Sequence, residues 1–377
     1  MEIEINKIAE LTKKVKMNYP LAYTPSRYFY GRGKLLITGE YLAMIGAEVL
    51  ACPTKLGQAM VVRTRESKSP TLYWKGIDVE GQPWFSVEFE LWHFNVLKIN
   101  CAIDELKIEK LKCYLKALRD LNPHFLRGEE DYFVETNLEF YLEWGLGSSS
   151  TLLYNLAQWA SVSPFELFRK VSNGSGYDIA CAQSNGPILY KLENTNEIGV
   201  DAVGVGDEIV ESETVVAPLL NTKLSPSWIE TTWNPSFKSQ LFFIYLGNKL
   251  VTEYEVERFQ ERRKKFSDEK MLAACDRISV LTKLILECSD QLLFNSYLVE
   301  HEKIIGEMID KVPLKELYFS DFKGEMKSLG AWGGDFMLVS SFLNREETKK
   351  YFISKGLVHI LDFDQLIIGQ DESKIYQ

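Results

Sequence analysis

The chain has 377 residues, of which 46% are hydrophobic and 25% charged, long for one core and sufficient for two. Its formal net charge of -10 argues against a nucleic-acid-binding surface, which is normally basic. Six cysteines without a CxxC pair and four scattered histidines, His93, His124, His301 and His359, suggest neither a zinc site nor a disulfide framework.

No stretch approaches the length of a membrane span, and the first twenty residues lack the long apolar core of a secretion signal. The expectation is a cytoplasmic protein with a small-molecule partner, no nucleic-acid or membrane partner, and a homodimer as the candidate assembly.

In chain order, residues 1–26 read as an irregular or helical leader. From 27 to 89, apolar and alternating runs separated by Gly-rich or Pro-containing turns predict a group of strands, including 49–52, 59–62 and 85–89. Within this group Lys34 and Glu40 bracket a short apolar run that reads as a buried strand. Apolar residues recur at helical spacing over 103–121, residues 132–136 look like the next strand, and helices follow Ser149 and Ser163-Pro164. A strand at 187–190 precedes the stretch 193–238, which is richer in Asn, Gly, Ser, Pro and acidic residues. That shift places a domain boundary near its start, giving an N-terminal domain over 27–195 and a C-terminal one over 196–377. The second half opens with a strand at 241–246, continues in charged helices from 253 to 310, and ends in short strands around 336–340 and 358–368. The largest basic cluster, Arg258 with Arg262-Arg263-Lys264-Lys265, reads as the solvated face of one of these helices. The layout is mixed α+β, with no internal repeat.

The run Gly145-Leu146-Gly147-Ser148-Ser149-Ser150-Thr151 leads straight into an apolar, helix-compatible stretch. Glycines let the backbone pass close to a ligand, and amides, hydroxyls and a helix start can then hold a phosphate. A glycine turn with a serine cap also begins many ordinary helices. The run is not a P-loop, which ends in Gly-Lys-Ser/Thr, so any lysine assisting a phosphate comes from elsewhere, with Lys34 a candidate. Further glycine turns occur at Asn173-Gly174-Ser175-Gly176-Tyr177-Asp178 and at Gly330-Ala331-Trp332-Gly333-Gly334-Asp335. Asp178 stands between such a turn and an apolar helical run, where an aspartate serves as a cap or, favoured as carboxylate by the helix dipole, as a base.

Residues 34–46, 145–151, 174–180 and 327–335 resemble, in order and spacing, the successive motifs of the GHMP kinase superfamily of galactokinase, homoserine kinase, mevalonate kinase and phosphomevalonate kinase. The phrase Gly176-Tyr177-Asp178-Ile179-Ala180 further resembles a bacterial subgroup called the GYDIA family. The resemblance spans about residues 28–366. It implies an N-terminal domain of the ribosomal-protein-S5-domain-2-like type, a C-terminal ferredoxin-like domain, and an active site in the cleft between them.

The resemblance also implies ATP and Mg2+ as cofactors. It assigns Gly145, Leu146, Gly147, Ser148, Ser149 and Ser150 to the nucleotide phosphates, with Gly333 and Gly334 closing over them from the second domain. Ser149 matches the serine that contacts the metal, Asp178 the catalytic aspartate, and Lys34 the lysine near the reacting hydroxyl and terminal phosphate. Glu40, Tyr41, Gly176 and Lys249 are assigned to the substrate, with a structural role the alternative for Glu40. Several positions depart from the pattern. Trp332 replaces a usual glycine, Glu143-Trp144 replaces proline and small residues, and Gly31-Arg32-Gly33 lacks the usual proline. Leu167 stands where mevalonate kinases carry a glutamate as second magnesium ligand, with Glu166 adjacent as the substitute. Tyr41 in place of histidine, the Gly333-Gly334-Asp335 run and the turn holding Lys249 favour phosphomevalonate as acceptor, with mevalonate next. Sugar or homoserine kinase activity and a non-catalytic nucleotide or metabolite sensor are the further alternatives.

Overall fold

A computed structural model describes residues 26–100, 105–194, 224–247, 252–330, 332 and 334–369. The leader through residue 25, Lys249 and Gly333 lie outside the described residues. The first half is organised by one long strand, β2 (Val49–Glu66). The sequence predicts two strands here, at 49–52 and 59–62. They form one because the intervening Pro53 and Gly57 sit at a register shift opposite β1 (Arg27–Leu36), between Arg32 and Lys34, where a missing ladder donor is tolerated.

Among the described residues the sheet around β2 has eight strands. They include β3 (Thr71–Ile77), β4 (Pro83–Glu90), β5 (Val96–Ile99), β6 (Glu130–Leu138), β7 (Ile188–Asn194) and β8 (Leu224–Glu230), in the order β5-β4-β3-β6-β2-β7-β8, with β1 paired to β2. β3 alternates buried and half-buried residues along its length, so one face carries Leu72 and Trp74 into the core. Four helices, α1 (Glu105–Leu121), α2 (Ser148–Ala160), α3 (Pro164–Val171) and α4 (Tyr177–Gln183), belong to the same half. The buried residues of α1 are Ile108, Leu111, Tyr114, Leu115, Ala117 and Leu118, spaced for one helical face.

The predicted boundary at 195/196 needs correction, because β8 pairs antiparallel with β7, with Leu189 opposite Ile229. The first sheet therefore extends to Glu230. The segment reads as a connector in sequence because β8 ends the sheet, where its half-buried Ser225, Pro226 and Ser227 are tolerated.

The second sheet has four antiparallel strands, β9 (Leu241–Tyr245), β10 (Gly324–Ser328), β11 (Phe336–Ser341) and β12 (Ile360–Asp362), in the order β10-β11-β9-β12. Helices α5 (Thr252–Arg263), α6 (Asp268–Glu287), α7 (Gln291–Ile309) and α8 (Leu314–Tyr318) connect β9 to β10, and α9 (Arg345–Ser354) connects β11 to β12. This β-α-β-β-α-β course, with the first and third strands central, is ferredoxin-like. No helix among the described residues is long and apolar enough to cross a membrane.

Apolar clusters run through the junction of the halves. One joins Leu35, Leu50 and Cys52 to Phe243, Phe294 and Leu338; another joins Tyr41 and Val49 to Ile278 and Ile305. A buried polar cluster lies at the same junction. After β1 the chain turns at Gly39, which has φ 83 and where a Cβ would lie 2.2 Å from Val49 Cγ1, into a 3-10 helix over Glu40–Ile45. The Glu40 carboxylate, 1% exposed, is ion-paired to the fully buried Lys327 of β10. Lys327 also donates to the Ser328 carbonyl at 2.8 Å, and the Ser328 amide donates to Glu302 Oε1 at 3.2 Å. His301 Nε2 accepts the Gly39 amide at 2.9 Å and lies 3.6 Å from Glu40 Oε2. Burial, and then the Lys327 charge, hold His301 well below the usual histidine range, so it accepts as a neutral ring. Burial raises the Glu40 carboxyl above its ordinary value although Lys327 opposes the rise.

Lys327→Met would strand the Glu40 carboxylate in the interior. The expected loss is about 3–5 kcal/mol of unfolding free energy, largely recovered when Glu40→Leu is added. Denaturant titration of both single variants and the double variant checks this, and no recovery in the double would remove the ion pair as the cause.

Burial pushes the Glu302 carboxyl up to about 8, with Glu40 adding to the rise and Lys327 opposing it. The folded chain then binds this proton more tightly than the unfolded chain does. Stability contributed here falls as pH rises from the ordinary carboxylate range toward about 8, by up to about 1.4 kcal/mol per pH unit. Glu302→Gln is expected to flatten that slope in urea titrations across the window; an unchanged slope would assign it to other groups.

Candidate active site

The glycine-serine run is built as an anion loop. A 3-10 turn over Leu142–Trp144 ends at Gly145 with φ 65, and Gly147, with φ 90, is the N-cap of α2. Both glycines thus occupy left-handed backbone, which a larger residue adopts only with strain. The N-cap glycine brings no side chain of its own to cap α2, and a helix start of this kind can receive an anion on its first-turn amides. Ser150 Oγ donates to the Gly147 carbonyl at 2.9 Å and Thr151 Oγ1 to Gln58 Oε1 at 2.9 Å, while Ser149 is exposed.

The loop is seated on β1 by close backbone contact. A Cβ on Gly31 would lie 2.8 Å from the Thr151 carbonyl oxygen, and one on Gly33 would lie 3.0 Å from that of Leu146. The Lys34 amide donates to the Leu146 carbonyl at 2.9 Å. Glu143-Trp144 is accommodated because Trp144 is buried and meets Phe336 of β11 edge-on at 5.5 Å. The loop is therefore anchored to both halves.

Lys34 projects beside this loop; a Cβ on Gly147 would lie 3.1 Å from its Cγ. Its ammonium is 5.8 Å from the centroid of the Tyr177 ring and is hydrogen-bonded to Tyr177. Burial alone would lower its proton affinity, but Tyr177, Asp335 and Asp178 outweigh burial and hold it above the usual lysine range. Asp178 occupies the first turn of α4, behind the left-handed Gly176. Its Oδ1 accepts the Ile179 amide at 3.0 Å, and Ser150 lies beside its side chain. Burial raises the carboxyl above its ordinary range; Lys34 and these contacts oppose but do not cancel the rise. The result is a cation facing a carboxylate of increased basicity beside an anion loop. Such a pair can orient and deprotonate a hydroxyl while stabilising negative charge.

The other expected residues are distributed differently. Glu40, expected at the substrate, lies in the buried ion pair with Lys327. Tyr41 stacks on Phe259 at 5.2 Å, and its hydroxyl accepts the Trp332 amide at 3.3 Å. Burial pushes the Tyr41 phenol up to about 12, a rise opposed by its bond to the Trp332 amide. Trp332 fits because it is 2% exposed in the core between the halves, with its carbonyl accepting from Lys311 Nζ at 3.2 Å. Gly334 is buried just before β11. Gly176 shapes the turn, where a Cβ would lie 3.3 Å from the Phe165 ring. Sequence reasoning did not assign roles to Tyr177 or Asp335, although both stand inside the motifs it singled out.

The expected metal ligand Glu166 is exposed on α3, while neighbouring Leu167 is buried in the first core. Among the described residues no three His, Cys, Asp or Glu side chains form a group able to hold a metal ion. Ser149, the other expected metal contact, is exposed at the start of α2. A donor set without a carboxylate cage suits magnesium carried on phosphate oxygens with its waters retained.

No protein-family model and no curated protein matches the chain. Solved structures do. Lactococcus lactis galactokinase complexed with galactose superposes with a TM-score of 0.62 at 13% identity, covering 96% of this chain and 98% of that one. Streptococcus pneumoniae phosphomevalonate kinase, in complex with phosphomevalonate and AMPPNP, gives 0.59 at 17% identity, covering 89% and 99%. L. major mevalonate kinase, in complex with R-mevalonate, gives 0.54 at 14% identity, covering 90% and 94%. The chain has the two-domain α+β fold of the GHMP kinases, the group that its motifs resemble.

Proposed function

We propose that this chain is an ATP-dependent small-molecule kinase that transfers the γ-phosphoryl group of ATP to an acceptor of the mevalonate pathway, phosphomevalonate first and mevalonate second. The observation that carries the proposal is Lys34 facing Asp178 beside the glycine-capped start of α2. The amides of the anion loop bind phosphate oxygens, and Lys34 stabilises charge on the transferring group and the attacking oxygen. Asp178 orients a hydroxyl acceptor and takes its proton, a role suited to a carboxyl of raised proton affinity. Magnesium on the phosphates, with Ser149 as the protein ligand, would supply further charge neutralisation. The choice of phosphomevalonate is supported by the Gly333-Gly334-Asp335 run and by Tyr41 in place of histidine. A sensor without turnover has no use for Lys34 and Asp178 together.

The acceptor type changes what Asp178 has to do. A hydroxyl must lose its proton, whereas a phosphate monoester near neutral pH is already largely dianionic, with a second pKa near 6. Asp178→Asn is expected to leave nucleotide binding intact and to cut turnover about a hundredfold or more on a hydroxyl acceptor. The loss on a phosphate acceptor is expected to be smaller. Coupled ADP release with Mg-ATP and, separately, phosphomevalonate, mevalonate, homoserine and galactose, on both proteins, makes the measurement. ATP binding without turnover on any acceptor would replace the kinase reading with that of a sensor, and normal turnover in Asp178→Asn would remove Asp178 from the chemistry.

A further inference from the structure

Asp335 joins the second half to the anion loop. It immediately precedes β11, is 7% exposed, and has a left-handed backbone with φ 45, a conformation that Asp and Asn adopt more readily than most residues. Its carbonyl accepts the Leu246 amide at 2.8 Å, which fixes this corner to the end of β9. Its side chain crosses to the first half. A Cβ added at Gly145 would lie 2.1 Å from both Cγ and Oδ2 of Asp335, so the carboxylate rests directly against the glycine that opens the anion loop. From there it acts on Lys34 from the side of the second half, while Tyr177 and Asp178 act from α4.

A lysine is a point charge on a flexible stem and has no planar fork to fix its direction. With Asp178 as its sole counter-charge, the ammonium would be drawn into a tight pair that occupies the base. A second carboxylate from the opposite half divides that attraction. We propose that Asp335 is a positioning residue for Lys34, a counter-charge delivered by the second half that holds the ammonium between the two carboxylates, and that position 145 is glycine to admit it. The proposal deepens the kinase reading and rests on it for its kinetic consequence alone.

Asp335→Asn removes the charge while keeping the shape and the tolerance for left-handed backbone. The test follows acetylation of Lys34 against pH in the folded protein, read by mass spectrometry, with exposed lysines as internal reference. Loss of Asp335's charge is expected to move the midpoint for Lys34 to lower pH with an unchanged plateau rate. At a fixed pH below the midpoint, labelling should then be about threefold faster or more. Gly145→Ala, which displaces the carboxylate, is expected to move the midpoint in the same direction. On the accepted substrate, Asp335→Asn should lower kcat with little change in KM for ATP. An unmoved midpoint in folded Asp335→Asn overturns the proposal whatever the activity, and so does a faster plateau without a midpoint shift, because that reports exposure alone. A shifted midpoint in a protein without kinase activity upholds the placement of Asp335 and overturns the kinase reading.

Discussion

The Glu40 carboxylate and the Lys327 ammonium are buried against each other at the junction of the two halves, and much of the molecule follows from that contact. Glu40 lies just after the strand that carries Lys34, and Lys327 lies in the strand that leads to the Asp335 corner. One ion pair therefore sets the register between the two segments that meet at the anion loop. Removing both charges from water is costly, so the pair adds little net stability over an apolar contact. Its effect is on alignment: any sliding of β10 along the first half would leave both charges uncompensated. Gly39, His301 and Ser328 surround the pair with directional bonds and restrict the geometry further.

At the candidate site the same physics works nearer the cleft. Desolvation acts on Lys34 and Asp178 in the directions that favour their neutral forms, yet the opposing charges leave Lys34 a stronger holder of its proton than in water. The carboxylates also have different settings. Asp178 is placed by a first-turn backbone bond beside Ser150, whereas Asp335 is placed by a corner of the second sheet. The charge balance around Lys34 thus draws on both halves.

Several of these features were legible in the residues. The glycines at 145 and 147 announce a turn followed by a helix, and the apolar spacing of α1 and the run at β9 mark a helix and a strand without ambiguity. Strand β10 was not legible, because Gly324-Glu325-Met326-Lys327-Ser328 looks like a solvated segment. Its lysine is buried only because Glu40, distant by 287 positions, comes to meet it. The family resemblance leaves Glu40 open between a substrate contact and a structural role, and only its meeting with Lys327 decides for the second. Strand β8 was hidden by its serines and proline, tolerated at the edge of the sheet. Asp335 was visible as part of a motif, but its role depends on a contact across the halves that no local pattern encodes.

Strand β2 belongs to more than the first sheet. Its early residues Leu50 and Cys52 sit in the apolar cluster shared with Phe243 and Phe294, and its late residues Met60 and Val62 sit in the core beneath α1. Thr54 bridges to Ile367 near the far end of the chain. Melting the second half would strip the packing from the early end of this strand and expose it to water. The halves are in this sense one cooperative folding unit, despite being two architectures. A fragment cut between the two sheets, after Glu230, would leave the early part of β2 without the apolar cover of Phe243 and Phe294.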